Sequence, residues 1–300
     1  MRLLLLTRQG RLYSIRRLRE AAHVGGHSLG ILDPLECTLA LGARSQEGQR
    51  PRVLIHGREI RGVDCLIPRI GAALGGHGVE VVGHFEAMGV PVLNRARAIA
   101  RARNKMEALQ LLSRHGVDAP ATVLAPGPAA LDRALEIVGG PPVVLKLPRG
   151  AQGVGVILAE TRAAAVATLD TLWALGQQVL IQEFVSESRG RDVRVLVVGG
   201  NVVASMRRVA AAGEWRANLH RGGLAERIEL DDGYARAATE AARAVGLDVA
   251  GVDILEGRNG PRVIEINASP GFEGLERATG VDIAAAILSQ ALNAPRPVGL

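Results

Sequence analysis

The chain opens with apolar runs that alternate with helical apolar spacings. Residues 3–6 are four consecutive leucines, typical of a buried strand, and residues 12–24 repeat apolar side chains at helical intervals. Further apolar runs at 29–32 and 65–67 predict strands, and the pattern over 78–88 predicts a helix that a glycine ends. Such alternation of strand and helix is typical of a Rossmann-like α/β unit with a parallel sheet.

Beyond residue 95 the patterns predict both helices and adjacent strands. Helices are predicted at 95–115, 131–138 and 162–175, and strands at 121–124, 143–147, 156–159, 179–184, 192–198, 202–208, 249–255 and 263–267. The final third is the richest in adjacent strands. We therefore predict an α+β protein in three parts, which comprise residues 1–95, 96–186 and 187–300.

Composition restricts the class of protein. With 300 residues, of which 48% are apolar and 22% charged, the chain can bury a large core divided among two or three units. Its apolar runs fall short of the ~20 residues that a membrane helix needs, and the first run is too short for a signal peptide. Cys37 and Cys65 show no metal-ligand spacing and make no disulfide framework. We expect a cytoplasmic protein without a membrane anchor.

The charge balance favours acidic partners. The formal net charge is +6, which steers anions such as nucleic acids, nucleotides or acidic peptides towards the protein. Aromatic residues make up only 2% of the chain, so the stacking platforms that single-strand binders use are scarce. We therefore expect no direct nucleic-acid binding and favour a nucleotide or an acidic peptide as partner.

Lysine is rare in this chain. Of the 36 lysines and arginines in the chain, only Lys105 and Lys146 are lysines. A lysine ammonium is a compact, flexible charge that arginine does not replace at a phosphate, so both positions are candidate phosphate ligands. The alternative is that either lysine is an ordinary surface residue. Position favours the first interpretation for Lys146, because it closes an apolar run just before a glycine-rich loop.

That loop contains Gly150, Gly153 and Gly155 in the order Gly-x-x-Gly-x-Gly. The order matches neither a P-loop nor the dinucleotide fingerprint, and apolar, strand-like runs flank the loop on both sides. A hairpin whose glycine tip folds over phosphates fits this context, because glycine lets backbone N–H groups approach an anion closely. An ordinary flexible hairpin fits the glycine spacing equally well.

Three oxygen-bearing side chains predict a metal site near the carboxyl terminus. Strand alternation places Glu265 and Asn267 on one face, and Asp253 joins them if it pairs opposite Glu265 across a turn at 257–260. A one-residue slip would put Asp253 on the other face. Carboxylate and amide oxygens suit Mg²⁺ with nucleotide phosphates and water completing the octahedron. The alternative is a hydrogen-bonded polar row at a sheet edge.

Further candidates lie between these segments. Glu183 ends a predicted strand, where its carboxylate can accept hydrogen bonds from ribose hydroxyls. Arg216 and Asn218 offer a cation and an amide close to the same strands. Only one of the adjacent pair Arg207 and Arg208 can point into the site by alternation, and we favour Arg208 as the residue that stabilises a transferring phosphoryl group.

Motifs along almost the full chain resemble the ATP-grasp superfamily and, within it, the RimK family of α-L-glutamate ligases. These motifs are Tyr13-Ser-x-x-Arg-Leu-Arg-Glu-Ala-Ala22, Asp33-Pro-Leu, Ile67-Pro-Arg-Ile-Gly71, Ala100-Arg-Ala-Arg-Asn-Lys105, Gln152-Gly-Val-Gly155, Gln182-Glu-Phe, Arg216-Ala-Asn-Leu-His-Arg-Gly-Gly223, Ala250-Gly-Val-Asp-Ile254 and Glu265-Ile-Asn-Ala-Ser-Pro-Gly271. The resemblance implies an ATP-grasp fold in which a pre-ATP-grasp domain, 1–95, precedes two ATP-grasp lobes, 96–186 and 187–300.

The resemblance also implies roles for individual residues. The residues that would contact the nucleotide are Lys105, Lys146, Gly153, Gly155, Glu183, Phe184, Asp192, Arg216, Ala217 and Asn218. The catalytic arginines would be Arg208 and Arg216. Two Mg²⁺ or Mn²⁺ ions would be bound by Asp253, Glu265 and Asn267. Relatives usually have serine where Ala217 stands and often have lysine at Ala211. The first departure is tolerable if backbone groups make the contact.

The implied activity is ATP-dependent ligation through an acylphosphate. In this family L-glutamate is added to the carboxyl-terminal glutamate of a small-subunit ribosomal protein, and some members also make poly-α-glutamate. The resemblance further implies that the enzyme is a homo-oligomer, which we expect to be a tetramer. Two alternatives remain at this stage. One is an ATP-grasp ligase for another acceptor, such as an amino-group carrier protein or a cofactor, and the other is a non-catalytic, basic, ribosome-associated protein.

Overall fold

The computed structural model describes residues 1–42, 50–71, 74, 76–148, 155–217 and 222–295. Within these ranges the strands are β1 Arg2–Leu6, β2 Ser28–Leu32, β3 Cys37–Ala40, β4 Arg52–Ile55, β5 Arg58–Glu59, β6 Cys65–Pro68, β7 Thr122–Ala125, β8 Val143–Lys146, β9 Val156–Ala159, β10 Val179–Glu183, β11 Arg191–Val198, β12 Asn201–Val209, β13 Leu224–Arg227, β14 Val249–Gly257 and β15 Gly260–Asn267. The helices are α1 Tyr13–Val24, α2 His77–Ala87, α3 Ala96–Arg103, α4 Lys105–Arg114, α5 Leu131–Ile137, α6 Arg162–Ala174, α7 Asp232–Val245, α8 Glu273–Thr279 and α9 Ile283–Leu292.

The amino-terminal part is the predicted parallel unit. Strands β2, β1 and β6 form a parallel sheet in that order. Leu3 and Leu5 pack in one core with α1 and α9, while Leu4 and Leu6 pack in another with α2. The unbroken leucine run therefore reflects a strand with both faces covered. The small antiparallel sheet β3-β4-β5 was not predicted, because its short strands carry interspersed polar residues.

The central part is an antiparallel sheet with its own core. The strand order is β7-β10-β8-β9, and α5 and α6 cover one face with Leu135, Leu169 and their neighbours. Thr122, Lys146 and Gln182 lie on the opposite face, since residues paired directly across an antiparallel ladder share a face. The four-stranded sheet thus has one face that helices cover and one face that carries these polar side chains. The second face can therefore contribute to a site.

The carboxy-terminal part is a five-stranded antiparallel sheet ordered β13-β12-β11-β14-β15. One face carries Val195, Val252 and Ile266 and packs on α7. Sequence patterns predicted four of these strands but neither β13 nor the helices α7, α8 and α9. Helix α7 buries mainly alanines, whose small side chains give a weak apolar stripe, although Asp231 caps its first turn by accepting a hydrogen bond from the backbone N–H of Tyr234.

The predicted single helix over 95–115 was wrong, because the chain breaks at Asn104. This residue has extended backbone angles, φ −101° and ψ 100°, and its side chain caps α4 by accepting from the backbone N–H of Glu107 at 3.3 Å. Lys105 is therefore the first residue of α4, at the end of the helix where the dipole is positive and favours anions.

Contacts between distant segments fix the arrangement of the parts. Buried Asn94 donates to the backbone oxygens of Val249 and Ala268 and accepts from the N–H of Val249, all within 2.9 Å. The carboxylate of Glu276 accepts from Tyr13 and Arg17 on α1. These bonds hold β14 and the segment after β15 against the amino-terminal part. No helix in the described ranges is long and apolar enough to cross a membrane.

Candidate active site

One face of the five-stranded sheet carries a continuous group of charged side chains. Asp253 on β14 pairs directly opposite Glu265 on β15, and Gly251 pairs opposite Asn267. This pairing is the one of the two possible registers in which the three oxygen-bearing side chains share one face. The register shifts just beyond this pair, between Asp253 and Ile254. Bulges often lie beside active sites, where they redirect a side chain or end a pairing.

Two arginines complete this face. Arg194 on β11 pairs opposite Asp253, and Arg208 on β12 pairs opposite Asp192. Arg194 binds Asp253 with both Nε and Nη2, the latter at 2.8 Å from Oδ2. Arg208 binds Asp192 in the same forked manner, at 2.6 and 2.7 Å, and its Nη2 lies 3.1 Å from Asp253 Oδ2. Arg207 instead turns to Glu256, so Arg208 is the member of the pair that faces the site.

The two buried aspartates have different proton affinities. Burial disfavours ionisation of Asp253, yet Arg194 and Arg208 together hold its pKa below the ordinary aspartate value. Burial raises the pKa of Asp192 to about 6, against the influence of Arg208 and with the support of the neighbouring Asp253 charge. Asp253 is therefore the permanently ionised member of the pair, as a metal ligand must be.

The donor set on this face fits a divalent cation that also binds a nucleotide. Asp253, Glu265 and Asn267 offer hard oxygens of the kind that Mg²⁺ prefers. The described residues contain no group of three or more His, Cys, Asp or Glu side chains that could hold a metal by themselves. Two carboxylates and one amide leave positions that phosphate oxygens and water can fill, so the set suits metal bound together with ATP.

Gly251 shows how closely this face is packed. A Cβ atom at Gly251 would lie 2.6 Å from Cβ of Pro270 and 3.1 Å from Nη1 of Arg194. Only glycine fits between the arginine that binds Asp253 and the segment that follows Asn267.

Lys146 stands on the polar face of the central sheet. Its Nζ donates to Oε1 of Gln182 at 2.7 Å, and the amide nitrogen of Gln182 donates to Oγ1 of Thr122 at 2.8 Å. Because Gln182 is only 3% exposed, its amide orientation is fixed by this row of bonds. The row positions the ammonium group at the end of β8.

Charges from three segments converge at Lys146. Burial lowers the pKa of Lys146 to about 8 and the ammonium of Lys105 acts in the same direction, whereas the carboxylates of Glu265 and Asp253 oppose this shift. Two lysines from separate elements and two carboxylates from the facing sheet are therefore close enough to influence one another. The sequence related these residues only as a prediction, and in the structure Lys105, Glu265 and Asp253 lie close enough to Lys146 to influence its charge.

The strands that flank the glycine-rich segment form an antiparallel pair, as the predicted hairpin requires, whereas residues 149–154 lie outside the described residues. Strands β8 and β9 pair antiparallel, and the N–H of Leu147 donates to the oxygen of Gly155 at 3.1 Å. Gly155 has a left-handed φ of +73°, and a Cβ there would lie 2.9 Å from the Leu147 side chain. Gly153, like Asn218, lies outside the described residues.

Aromatic and arginine side chains connect the hairpin to the rest of the site. Phe184 packs edge-to-face on Trp215, with ring centres 6.3 Å apart, and the guanidinium of Arg216 lies 5.4 Å from the Trp215 ring centre. Arg216 also donates to the backbone oxygen of Val156 at 3.3 Å. Ala217 follows with 9% exposure. The predicted adenosine and phosphate segments are therefore neighbours beside the hairpin.

Glu183 has a partner that sequence patterns did not show. Its carboxylate accepts two hydrogen bonds from Arg262 on β15, at 2.7 and 2.9 Å, and one from the N–H of Ala121 at 3.0 Å. Burial disfavours its charge, but Arg262 and Ala121 hold its pKa below the ordinary value. In this arrangement the carboxylate of Glu183 joins the central and carboxy-terminal sheets. A ribose hydroxyl that donates to it would share the carboxylate oxygens with Arg262 and Ala121.

Three residues of the candidate site received no role in the sequence analysis: Arg194, Gln182 and Arg262. Strand alternation gave a signal for Arg194, because Asp192 and Arg194 are two residues apart in a strand that is apolar after Arg194. Gln182 stands next to Glu183 in a strand that is otherwise apolar, which is a similar signal. The pairing of Arg262 with Glu183 joins residues 79 positions apart, and no local pattern predicts it.

Family models cover nearly the whole chain. Residues 1–99 match the RimK PreATP-grasp domain and residues 102–291 match the RimK-like ATP-grasp domain. The junction between the two matches falls within α3, a few residues before the break at Asn104.

Curated relatives are similar over their full length. A probable alpha-L-glutamate ligase of Thioalkalivibrio sulfidiphilus is 48% identical over 289 residues, which is 96% of this chain and 94% of the relative. A ribosomal protein bS6–L-glutamate ligase of Escherichia fergusonii is 46% identical over 284 residues, 95% of this chain and 93% of the relative.

Solved structures share the fold. The ATP-grasp ligase PsnB in complex with a minimal precursor has a TM-score of 0.74 and 25% identity, covering 96% of this chain and 98% of that one. The RimK domain protein ATP-grasp of Sphaerobacter thermophilus has a TM-score of 0.71 and 23% identity, with coverage of 97% and 100%. With two family models and close relatives over almost its whole length, the chain belongs to the RimK family of ATP-grasp enzymes, which are ATP-dependent carboxylate–amine ligases.

Proposed function

We propose that this ATP-grasp glutamate ligase joins L-glutamate to the carboxyl-terminal glutamate of a small-subunit ribosomal protein by way of an acylphosphate. The observation that carries the chemistry is that Asp253 and Glu265 pair on one sheet face and that both carboxylates, with the ammonium of Lys105, act electrostatically on Lys146. The acceptor is inferred from similarity to the bS6–L-glutamate ligase, which is 46% identical over 95% of this chain. Repeated additions would give a poly-α-glutamate tail.

The charges in this space support ATP as the phosphoryl donor. Asp192 and Asp253 are balanced by Arg194 and Arg208 within the sheet face. Lys105 and Lys146 then exceed the single further carboxylate of Glu265, so the site is slightly positive before any metal binds. Divalent cations would add the remaining positive charge, which suits a triphosphate and the charge that develops during phosphoryl transfer.

The reaction needs no side-chain nucleophile. A carboxylate oxygen of the acceptor's terminal glutamate attacks the γ-phosphorus of ATP, the bond to the ADP oxygen breaks, and an acylphosphate and ADP form. The unprotonated amine of L-glutamate then attacks the acyl carbon, phosphate leaves with one former carboxylate oxygen, and the new amide nitrogen releases a proton to solvent. The protein contributes positioning and neutralisation of charge.

We assign the residues on this basis. Lys105, Lys146, Gly153 and Gly155 contact the phosphates, Glu183 and Phe184 the adenosine, Asp192 the ribose side, and Arg216, Ala217 and Asn218 the phosphate edge. Arg208 stabilises the transferring phosphoryl group, which requires one of its bonds to Asp192 or Asp253 to be exchanged for a phosphate oxygen. Arg216 is the second candidate for this role.

Asp253, Glu265 and Asn267 would hold Mg²⁺ or Mn²⁺, two ions when the nucleotide is bound. Metal at this place supplies charge neutralisation and orientation of the phosphates. Before it binds, Arg194 and Arg208 occupy both oxygens of Asp253. These arginines hold the carboxylate ionised and correctly turned.

The remaining assignments concern the whole protein. We propose the three-part division into 1–95, 96–186 and 187–300, with the metal ligands in the last part and the glycine hairpin in the second. A net charge of +6 would attract an acidic tail by long-range steering. The resemblance to the family supports a homo-tetramer, which sedimentation velocity can test.

An isotope experiment tests the acylphosphate directly. An acceptor peptide that ends in glutamate, labelled with ¹⁸O in its terminal carboxylates, is incubated with ATP, Mg²⁺ and L-glutamate. We expect phosphate that carries one ¹⁸O atom per turnover, because the acyl oxygen leaves with the phosphate. Amide formation with unlabelled phosphate would contradict the mechanism, and ATP consumption that does not depend on L-glutamate would contradict the assigned substrate.

A further inference from the structure

Arg69 is a buried arginine that stands at the carboxyl end of the parallel sheet. It follows β6 directly, is 8% exposed, and its N–H donates to the oxygen of Leu6 at 2.9 Å. Ligands of open α/β sheets bind outside this edge, beyond the carboxyl ends of the strands. The position is therefore one where a buried cation can reach a ligand.

The surroundings of Arg69 belong to the segment that follows the candidate metal ligands. Its Nη2 donates to the backbone oxygen of Pro270, and its guanidinium carbon lies 5.8 Å from the ring centre of Phe272. Pro270 is three residues beyond Asn267. In the same segment, Oγ of Ser269 is buried and has no hydrogen-bond partner in the described structure. A cation and a hydroxyl with unused donors thus lie beside the site.

Arg69 differs from the two arginines on the charged sheet face, which have acidic partners. Arg194 and Arg208 bind Asp253 and Asp192. Burial lowers the pKa of Arg69 to about 10, and no carboxylate acts against this shift. An unpaired cation removed from water is costly, and the cost is recovered when an anion binds it. One bond to a carbonyl and one aromatic contact leave most of its five N–H donors for such an anion.

We propose that Arg69 and the Ser269 hydroxyl bind a carboxylate of an acidic substrate at the amide-forming end of the site. This inference rests on the proposed function, which supplies two such carboxylates: that of free L-glutamate and that of the acceptor's terminal glutamate. The planar guanidinium fork matches a carboxylate, and the hydroxyl adds a third donor. Both sources present the same chemistry, so the experiment separates them.

Direct binding tests this assignment without relying on turnover. The affinities of L-glutamate and of a peptide ending in two glutamates are measured by calorimetry, each with Mg²⁺ and a non-hydrolysable ATP analogue present. In Arg69→Gln we expect the Kd of one of the two ligands to rise ~10- to 100-fold, the effect of losing a hydrogen bond between charged groups. Affinity for the ATP analogue should stay within about twofold, and Arg69→Lys should recover part of the loss.

Ser269→Ala gives a second measurement in case Arg69→Gln does not fold. It removes a hydroxyl that has no partner in the structure, so folding is unaffected, and we expect it to weaken the same ligand ~3- to 10-fold. Arg17→Gln is the matched control, because Arg17 also joins the amino-terminal part to the end of the chain through Glu276 and Asp282. It should leave both affinities unchanged.

Three results would overturn the assignment. They are unchanged affinities in folded Arg69 and Ser269 variants, equal losses in Arg17→Gln, or a parent protein that binds neither ligand. Failure of the proposed function looks different: the parent binds a carboxylate ligand through Arg69 but forms no amide with L-glutamate.

Discussion

Lys146 combines three features that are rarely found together in one lysine. It is partly buried, it is held by the fixed amide of Gln182, and two carboxylates and a second lysine lie within electrostatic reach. A surface lysine needs none of these. The arrangement holds a charged group in place before the nucleotide arrives, so little reorganisation is needed at the moment of transfer.

Replacement of this charge tests its role. In Lys146→Met we expect kcat/KM for ATP to fall ~10²- to 10³-fold, because one preorganised electrostatic group is lost. The fold should survive, since methionine fills the same space and leaves only the Gln182 oxygen without its donor. Arg277→Met on the exposed surface of α8 is the control and should retain full activity. Near-normal activity in Lys146→Met would remove Lys146 from the site.

Nucleotide affinity should depend on pH through the same residue. The free protein holds the pKa of Lys146 at about 8, whereas a bound phosphate would raise it, so the protonated form binds ATP more tightly. The Kd of an ATP analogue should therefore rise as pH increases from 7 to above 8. Lys146→Arg stays charged throughout and should give a flatter profile when measured by calorimetry. A parent profile as flat as that of Lys146→Arg would contradict this assignment.

At the scale of elements, the paired strands β11, β12, β14 and β15 bring opposite charges together on one sheet face. Each arginine stands directly across from the carboxylate that it binds, Arg194 from Asp253 and Arg208 from Asp192. Removal of one member of such a buried pair leaves the other charge uncompensated. Asp253, the proposed metal ligand, therefore also has a structural task.

Substitutions at Asp253 should separate these two tasks. We expect Asp253→Ala to lower the free energy of unfolding by ~3 to 5 kcal/mol, because Arg194 and Arg208 lose a buried partner. Asp253→Asn keeps one acceptor oxygen and should cost less, although both variants lose metal-dependent nucleotide binding. Urea unfolding of both variants and of the parent gives the comparison. Parent stability in Asp253→Ala would show that the arginines do not depend on this carboxylate.

The same elements show how far the sequence could be interpreted. Alternation in β15 predicted that Glu265 and Asn267 share a face, because this signal is local. The register of Asp253 stayed open: Gly257 pairs with Gly260, and an unshifted ladder from this turn would set Asp253 opposite Ile264, so the irregularity between Asp253 and Ile254 brings it opposite Glu265. The break at Asn104 was missed, since a helical apolar pattern continues across it and only the cap reveals it. The bond between Arg262 and Glu183 depends on two sheets meeting in space, and strand patterns carry no information about that contact.

At the scale of the molecule, the site lies where separate cores meet. The central sheet has its own apolar core, and the five-stranded sheet shares its cores with the amino-terminal part. Arg262 joins the first to the second through Glu183 and the backbone oxygen of Ala119. A nucleotide held between Lys146 and the metal ligands would add a further connection between these parts.

Ligands should therefore stabilise the whole protein only in combination. At a hundredfold excess over its Kd, an ATP analogue with Mg²⁺ should add ~2.7 kcal/mol to the free energy of unfolding. Mg²⁺ alone should add little, because Arg194 and Arg208 already bind Asp253, and Glu265 and Asn267 by themselves make an incomplete site. Thermal unfolding with each ligand, and with both, measures this difference. An equal shift with Mg²⁺ alone would mean that the metal binds elsewhere or needs no nucleotide.

The most direct measurement of the central claim is the intact mass of an acceptor. A small-subunit ribosomal protein that ends in glutamate is incubated with this enzyme, ATP, Mg²⁺ and L-glutamate, with the Lys146→Met variant as the matched control. We predict mass increments of one glutamate residue each, which require ATP and are absent with the variant. An unchanged acceptor mass, while ATP is consumed with L-glutamate present, would contradict the proposed acceptor, and increments without ATP would contradict the ATP-grasp mechanism.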